Sequence, residues 1–183
     1  MNNYADLLKS RKYKIGVWGA GFIGFSTIAY FARQAVAGLA MDVDPRRVKA
    51  INQGILDIDG LLEWLKFDTK PLVTGGLIEA VSDPERLLVS DVLVHFICIP
   101  TEKEGKPYTP YLEDVMTKLA GLPATGSDLL PLVIIESTLT PGTTDQIIIP
   151  MLESKGKRKW SNGGSHSSLG AKCKAWPQGH TAV

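Results

Sequence analysis

Short apolar runs alternate with amphipathic segments along most of this chain, which predicts strands and helices in turn. Runs in which nearly every residue is apolar are typical of strands buried on both faces of a sheet. Predicted strands cover residues 14–19, 38–42, 91–100 and 131–136, with a short one at 72–74. Predicted helices cover residues 22–36, 45–54, 61–66, 77–81, 108–120 and 141–149.

The order of these elements predicts the fold class α/β, as a Rossmann-type doubly wound, mainly parallel sheet with right-handed crossovers. Ligands of such sheets bind outside the carboxyl ends of the strands. The residues of chemical interest all follow predicted strands, so we expect them along one edge of the sheet: residues 19–24, Asp42, Thr101, Ser137 and Thr138.

The first predicted strand runs into glycines spaced as G-x-G-x-x-G, immediately before the first long helix. Gly19 allows a tight turn, Gly21 leaves room for a pyrophosphate, and Gly24 lets the helix pack close to the strand. The helix N-terminus, with the backbone of Phe22 and Ile23, offers N–H groups to phosphates. A tight turn without a ligand is the alternative, but the flanking elements favour dinucleotide binding.

The second strand ends on Asp42, about 20 residues after the glycine loop. Its carboxylate would accept hydrogen bonds from the adenosine ribose and repel a 2′-phosphate, which favours NAD over NADP. Arg46 and Arg47 complicate this preference, because an arginine here stacks on adenine or accepts a 2′-phosphate. A solvated helix face is the alternative role for both arginines.

Hydroxyl-bearing residues follow the two later strands. Thr101 leaves the strand at residues 91–100 and is expected near the cofactor, although a plain loop exit would look the same. Glu136-Ser-Thr-Leu-Thr-Pro-Gly-Thr-Thr144 leads into a helix. Thr140 before Pro141 is an N-cap candidate, and Glu136 could be structural, so this cluster alone identifies no reaction.

Composition and charge mainly exclude classes of partner and location. The chain has 183 residues, 44% of them hydrophobic, and a net charge of +1. The balanced charge indicates neither nucleic acid nor an anionic membrane as a partner. No apolar run reaches the roughly 20 residues of a membrane span, and the N-terminus lacks the layout of a signal peptide.

Two cysteines and three histidines show no metal-binding or redox spacing, so no metal site is expected. Cys98 lies in an apolar run and is predicted to be a buried, reduced thiol, which favours a cytoplasmic location. His95, in the same strand, is predicted to be a core histidine rather than a catalytic one. Cys173, His166 and His180 fall in the C-terminal segment.

Three segments are expected: a polar leader at residues 1–13, a nucleotide-binding domain at 14–155, and an irregular tail at 156–183. The tail is dense in Gly, Ser and Lys and has almost no aliphatic residues. Such a segment buries too little apolar surface to offset its ordering entropy. An altered reading frame or artificial junction near Lys157 would explain the change in composition.

Four motifs together resemble the UDP-glucose/GDP-mannose dehydrogenase family of nucleotide-sugar dehydrogenases. They are residues 14–24, the Asp-Val-Asp-Pro-Arg-Arg-Val-Lys-Ala-Ile-Asn-Gln-Gly run at 42–54, Ile-Pro-Thr-Glu at 99–102, and the Ser-Thr-x-x-Pro-Gly-Thr-Thr cluster. The last is the most specific. The resemblance runs from about Lys14 to Leu152 and corresponds to the family's N-terminal NAD-binding domain.

The resemblance implies an activity and roles for residues. Such enzymes oxidise the C6 alcohol of a nucleotide sugar to a carboxylate in two steps and reduce two NAD. By matching motif positions, Phe22, Ile23, Asp42 and Arg47 would contact NAD. Thr101 would lie near the nicotinamide. Thr138 would bind the cofactor and help position a catalytic water.

The chain also departs from the family pattern. Residues 55–62 lack the usual Glu-Pro pair, and no catalytic glutamate, lysine, asparagine or nucleophilic cysteine is recognisable after Leu152. Without the cysteine no thiohemiacetal forms, so the four-electron reaction cannot run. The chain is expected to be a truncated domain that binds NAD but is inactive alone. A missing catalytic half would expose apolar surface, so self-association is expected as well.

Two alternatives remain open. One is a stand-alone nucleotide-binding or sensing module. The other is a Rossmann dehydrogenase of the 3-hydroxyacid class, which shares the glycine loop but lacks the Ser-Thr-x-x-Pro-Gly-Thr-Thr cluster.

Overall fold

Strands and helices alternate through the described part of the chain, which in this computed structural model comprises residues 4–122, 131–155, 160–162 and 171–175. The strands are β1 (Lys14–Trp18), β2 (Gly38–Met41), β3 (Ile78–Val81), β4 (Val92–Ile97), β5 (Glu102–Lys103), β6 (Lys106–Pro107), β7 (Leu132–Ile135), β8 (Trp160–Asn162) and β9 (Ala171–Ala175). The α-helices are α1 (Tyr4–Lys9), α2 (Phe22–Arg33), α3 (Pro45–Asn52), α4 (Leu61–Leu65), α5 (Lys70–Thr74), α6 (Pro110–Ala120) and α7 (Ile149–Lys155).

The main sheet has the strand order β3-β2-β1-β4-β7-β9-β8, and its paired strands run parallel. Strand β1 pairs with β2 on one side and with β4 on the other. The chain therefore reverses its direction of travel across the sheet at β1, which opens a crevice at the carboxyl ends of β1 and β4. The predicted α/β, doubly wound, parallel class is confirmed.

Apolar side chains cover both faces of this sheet in two separate clusters. One contains Ile15 and Val17 with Phe25 and Ile28 of α2, all fully buried. The other contains Trp18 together with side chains of α6 and of residues 148–152. Because β1 sends alternate side chains to opposite faces, it ties the two layers together and fixes where α2 begins.

Residues 70–81 reverse the predicted assignments, since 72–74 lies in helix α5 and 78–81 forms strand β3. Pro71 suits the first turn of a helix, and the Gly75-Gly76 pair ends it. The next residues alternate, with Ile78 and Ala80 buried and Glu79 exposed, which fits an edge strand paired with β2. The side-chain amide of Asn52 exchanges two 2.8 Å hydrogen bonds with Ala80, which holds the strand's outer edge.

Two further regions differ from the predicted elements. Residues 102–107 form a small antiparallel hairpin, turning at Glu104 and Gly105, both with positive φ. The helix predicted at 141–149 begins as a turn, continues as a π-helix (Thr144–Ile148) and ends as α7. A 3₁₀ helix (Pro84–Leu87) connects β3 to β4. Thr140 is not the N-cap of this helix, since Thr143 occupies that position.

The segment expected to be irregular contains two strands of three and five residues, β8 and β9, which extend the sheet beyond β7. The expectation of irregular structure, drawn from composition, is wrong at these residues because strand pairing uses main-chain groups. An open sheet edge accepts an extended segment of almost any sequence. The rest of residues 156–183 lies outside the described residues, and the domain boundary at 155 stays a prediction. Among the described helices, none is long and apolar enough to cross a membrane.

Candidate functional site

The glycine loop joins β1 to α2 at the carboxyl edge of the sheet. Gly19 has φ +93°, and a Cβ on Gly24 would lie 1.9 Å from the carbonyl oxygen of Gly19. These two glycines are therefore required by the fold itself. Gly21 differs, because a Cβ there would meet nothing within 4 Å. The open space above Gly21 is where a ligand can approach the backbone.

Helix α2 begins at this open space without a capping side chain. Its N-cap is Gly21, and its first turn contains no acidic residue. The N–H groups of the first turn therefore lack both intrahelical acceptors and a capping side chain, and they lie at the positive end of the helix dipole. This arrangement is suited to an anion such as a pyrophosphate.

Asp42 follows β2 and connects it to the glycine loop. One carboxylate oxygen accepts the Ala20 N–H at 3.0 Å, and the other accepts the Asp44 N–H at 2.9 Å. The side chain is buried, with 8% exposed. A carboxylate oxygen can accept two hydrogen bonds, so Oδ1, which accepts only the Asp44 N–H, keeps acceptor capacity for a ribose hydroxyl.

Both arginines of α3 pair with carboxylates. Arg46 donates through Nε and Nη2 to Asp44, which also caps α3 by accepting the Arg46 N–H. These contacts hold the pKa of Asp44 down at about 2. Arg47 places Nη1 3.4 Å from Asp42 Oδ2. Both guanidinium groups therefore lie beside carboxylates, whose negative charge opposes the approach of a 2′-phosphate.

The loops after β4 and β7 hold each other through hydroxyl groups. Thr101 Oγ1 donates to the carbonyl oxygen of Thr138 at 2.6 Å. Ser137 Oγ donates to the carbonyl oxygen of Ile99, also at 2.6 Å. These bonds bring Thr101 and Thr138 together, as expected from their strand-end positions. The side chain of Thr138 is exposed and takes no part in them.

Glu136 connects three elements at the same edge. Its Oε2 accepts from Thr27 Oγ1 of α2 at 2.7 Å and from Cys98 Sγ after β4 at 3.1 Å. Cys98 is a free thiol packed beneath the glycine loop, close to Gly19 and Gly24. Burial, together with the neighbouring Glu136 carboxylate, raises the pKa of this thiol. Cys98 is thus poorly suited to act as a thiolate nucleophile.

A groove of about 540 Å³ adjoins this cluster. It lies between the loop after β4, the β5–β6 hairpin and the loop after β7. Thr101, Lys106 and Thr138 line it. The groove lies beside the ends of β4 and β7, on the side of β1 opposite to β2 and Asp42.

The structure brings the predicted residues to one edge, with Asp42 bonded to the loop between Gly19 and Gly21 and with Thr101 bonded to Thr138. The sequence did not reveal the Thr27–Glu136 contact, because no local pattern links positions 109 residues apart. The capping role of Asp44 was missed although Asp-Pro-Arg-Arg is a readable helix start.

His95 lies inside the sheet and away from this edge. Its Nδ1 accepts from Trp18 Nε1 at 3.3 Å, and Nε2 is buried without a partner. Burial lowers the pKa of His95 to about 3, so the imidazole is neutral. It is a core residue, as expected. His166 and His180 lie outside the described residues, and among the described residues no cluster of metal-binding side chains occurs.

The parallel sheet, the glycine loop and the carboxylate after β2 define a Rossmann-type dinucleotide-binding domain. The sequence profile for the UDP-glucose/GDP-mannose dehydrogenase family, NAD binding domain, matches residues 13–168. The chain belongs to this family, and its cofactor is NAD. The match runs beyond residue 155 and so includes part of the segment expected to be aberrant.

Individual relatives agree with this assignment. UDP-N-acetyl-D-mannosamine dehydrogenase of Methanococcus aeolicus is 32% identical over 79% of this chain and 32% of its own length. The structure of GDP-mannose dehydrogenase from Pseudomonas aeruginosa superposes with a TM-score of 0.67 at 25% identity, covering 80% of this chain and 33% of that one. UDP-D-ManNAc dehydrogenase from Pyrococcus horikoshii gives 0.65 at 30% identity, with the same coverage. The chain spans about a third of the length of these relatives.

Proposed function

We propose that this chain binds NAD across the carboxyl edge of its sheet and serves as the cofactor domain for oxidation of a nucleotide sugar at C6. The observation that carries the proposal is the pairing of an open Gly21 with Asp42, whose carboxylate is bonded to the Ala20 N–H. In this arrangement the pyrophosphate lies on the first turn of α2 and the adenosine ribose on Asp42.

Each predicted contact residue has a defined part in this proposal. The backbone N–H groups of Phe22 and Ile23 bind phosphate oxygens, while Gly19, Gly21 and Gly24 keep the backbone accessible. Arg47 lies beside Asp42 and borders the adenosine. Thr101 and Thr138 flank the nicotinamide, and Thr138 also positions a water molecule for the second oxidation step.

NAD, when bound, accepts hydride from the sugar carbon. The substrate class follows from the relatives, two of which are named for UDP- and GDP-linked sugars. We expect the 183-residue polypeptide by itself to be inactive towards such sugars. Cys98 is the one cysteine whose side chain the structure describes, and its raised pKa and bond to Glu136 make it poorly suited to act as the nucleophile.

The proposal is tested by calorimetric titration of NAD into the chain, alongside Gly21→Ala and Gly121→Ala. A Cβ on Gly21 enters open space and fills the pyrophosphate's approach, so affinity should fall at least about tenfold while the fold is retained. Gly121 has a φ of −84°, similar to the −76° of Gly21, and it lies outside the site. Its alanine variant should therefore bind NAD like the parent. Absence of saturable NAD binding by the folded parent would refute the proposal.

The same chain is expected to self-associate through an exposed apolar patch, defined as Phe22, Ile23, Leu62 and Trp64. Three of these side chains are more than half exposed, and the rings of Phe22 and Trp64 lie 6.1 Å apart. Such a patch favours association. Light scattering should show a concentration-dependent mass that Trp64→Lys lowers and Val89→Lys, a matched change outside the patch, does not. A monomer at all concentrations would contradict this expectation.

We propose a cytoplasmic location from the chemistry of the Cys98 thiol. Cys98 is free and bonded to a carboxylate, a state that a reducing cytoplasm preserves.

A further inference from the structure

Glu136 places an uncompensated negative charge at the carboxyl edge. Its side chain is exposed, and both groups that donate to Oε2, the Thr27 hydroxyl and the Cys98 thiol, are neutral. Within the described part of the chain no Lys, Arg or His nitrogen lies within 4 Å of it. Among the described residues the carboxylate therefore has hydrogen-bond donors but no cationic partner.

The position of Glu136 assigns it to one end of the cofactor. Asp42, after β2, holds the adenosine end, and the glycine loop after β1 holds the pyrophosphate. The remaining half of the dinucleotide extends in the opposite direction, over the ends of β4 and β7. Glu136 follows β7 directly and contacts Cys98, which follows β4. It thus lies on the nicotinamide side.

We propose that Glu136 makes this site select the oxidised over the reduced form of NAD. The two forms differ by one positive charge, on the nicotinamide ring, and are otherwise recognised by the same groups. A fixed carboxylate beside that ring attracts the oxidised form and gains nothing from the neutral reduced one. For an enzyme that consumes NAD and must release NADH, such a bias favours turnover. This inference rests on the proposed function.

A purely mechanical role for Glu136 makes a different prediction. As a brace between α2 and the loop after β7, it would position Thr138, and its loss would weaken both cofactor forms equally. The ratio of the two dissociation constants separates the roles, because changes in loop position or pyrophosphate repulsion cancel in that ratio.

The test measures the dissociation constants of NADH, by its fluorescence, and of NAD, by calorimetry, on the full chain. In the parent, the dissociation constant of NADH divided by that of NAD should be large. Glu136→Gln should lower this ratio about three- to tenfold, as expected for the loss of one partly screened charge. Thr27→Val removes the brace but keeps the charge, so its ratio should match the parent. Asp91→Asn removes an equal charge at the opposite edge, where Asp91 pairs with Lys14, and should also leave the ratio unchanged.

Glu136→Asp is the second variant, for use if the glutamine variant fails to fold. It shortens the side chain that contacts Thr27 but retains the charge, so its ratio of dissociation constants should equal that of the parent. Raising the salt concentration should lower the parent's ratio of dissociation constants until it approaches the ratio of Glu136→Gln. An unchanged ratio in folded Glu136→Gln, or a ratio that moves equally in Thr27→Val, would overturn the inference. Either result leaves NAD binding itself intact, whereas a parent that binds neither form refutes the proposed function instead.

Discussion

The two halves of the carboxyl edge are built in different ways. In the β2 half, defined as the glycine loop with Asp42, a buried carboxylate is bonded to main-chain N–H groups of two segments. In the β7 half, defined as Thr101 with Glu136–Thr138, exposed or half-buried side chains bond across loops to carbonyls and to other side chains. The β2 half is preformed by backbone contacts, whereas the β7 half depends on side chains that single substitutions remove.

This difference fits the work assigned to each half. The adenosine and pyrophosphate are the same before and after hydride transfer, so a fixed cradle suits them. The nicotinamide changes charge and must meet a substrate, so adjustable loops and a nearby charge suit it. Substitutions in the β2 half should therefore have large effects on stability or on NAD affinity, while those in the β7 half should have smaller effects.

The largest effect is expected from Gly24→Ala. The added Cβ would lie 1.9 Å from a backbone oxygen that cannot move aside, so the unfolding free energy should fall by at least about 3 kcal/mol. Urea denaturation checks this, with Gly21→Ala as the control that adds the same methyl group in open space. Equal stabilities for the two variants would contradict the claim that the glycine loop is fixed by packing.

The next effect concerns cofactor choice through Asp42. Asp42→Asn should weaken NAD about ten- to a hundredfold, because charge-assisted hydrogen bonds to the ribose are lost, and should weaken NADP less. Asp44→Asn makes the same chemical change two residues away and keeps a capping side chain for α3, so it should leave the NAD affinity unchanged. Calorimetry with both cofactors tests this, and a parent that prefers NADP would refute the role of Asp42.

The β2 half was also the more readable from sequence. A glycine spacing, a strand end and a carboxylate about 20 residues on are local signals that fix both position and role. In the β7 half, Thr101 and Ser137 were placed at the correct edge by strand ends alone. Their bonds across loops, and the Thr27–Glu136 contact, depend on distant segments meeting and have no local signature.

The errors in element type have related causes. Ile78–Val81 was predicted to be helical because four residues carry little periodicity, and pairing with β2 decides its state. Strands β8 and β9 were missed because they contain no Val, Ile or Leu, while their partner is a main-chain edge. The hairpin at residues 102–107 did carry a signal, a Glu-Gly turn between short polar segments.

His95 of β4 lies in the core, away from both halves, and its imidazole accepts from Trp18 of β1. Its pKa of about 3 lies below the value of 6.5 for a free imidazole, so the unfolded chain takes up a proton first as pH falls. Stability should hold above pH 6.5 and fall by about 1 kcal/mol between pH 6.5 and 5.5. Urea denaturation across this range should show that the unfolding free energy of His95→Leu depends less on pH than that of the parent. Equal pH dependences would contradict a buried, neutral His95.

The smallest effect is expected from Thr101→Val in the β7 half. Removing the 2.6 Å hydrogen bond to the Thr138 carbonyl should cost about 1 kcal/mol of stability and lower NAD affinity only a few-fold. Thr101→Ser keeps the hydroxyl and should behave like the parent. A loss of NAD binding as large as that of Asp42→Asn would show that the two halves do not differ as described.

Hydrogen exchange of the full chain with and without saturating NAD tests whether the cofactor lies on the first turn of α2. Bound NAD should add protection at the first-turn amides of Phe22 and Ile23, with smaller protection in the loops after β4 and β7. Amides at the opposite edge, near Asp91, should exchange as before. Unchanged exchange at the first turn of α2 under saturating NAD, or protection confined to another surface, would show that NAD does not bind at the glycine loop.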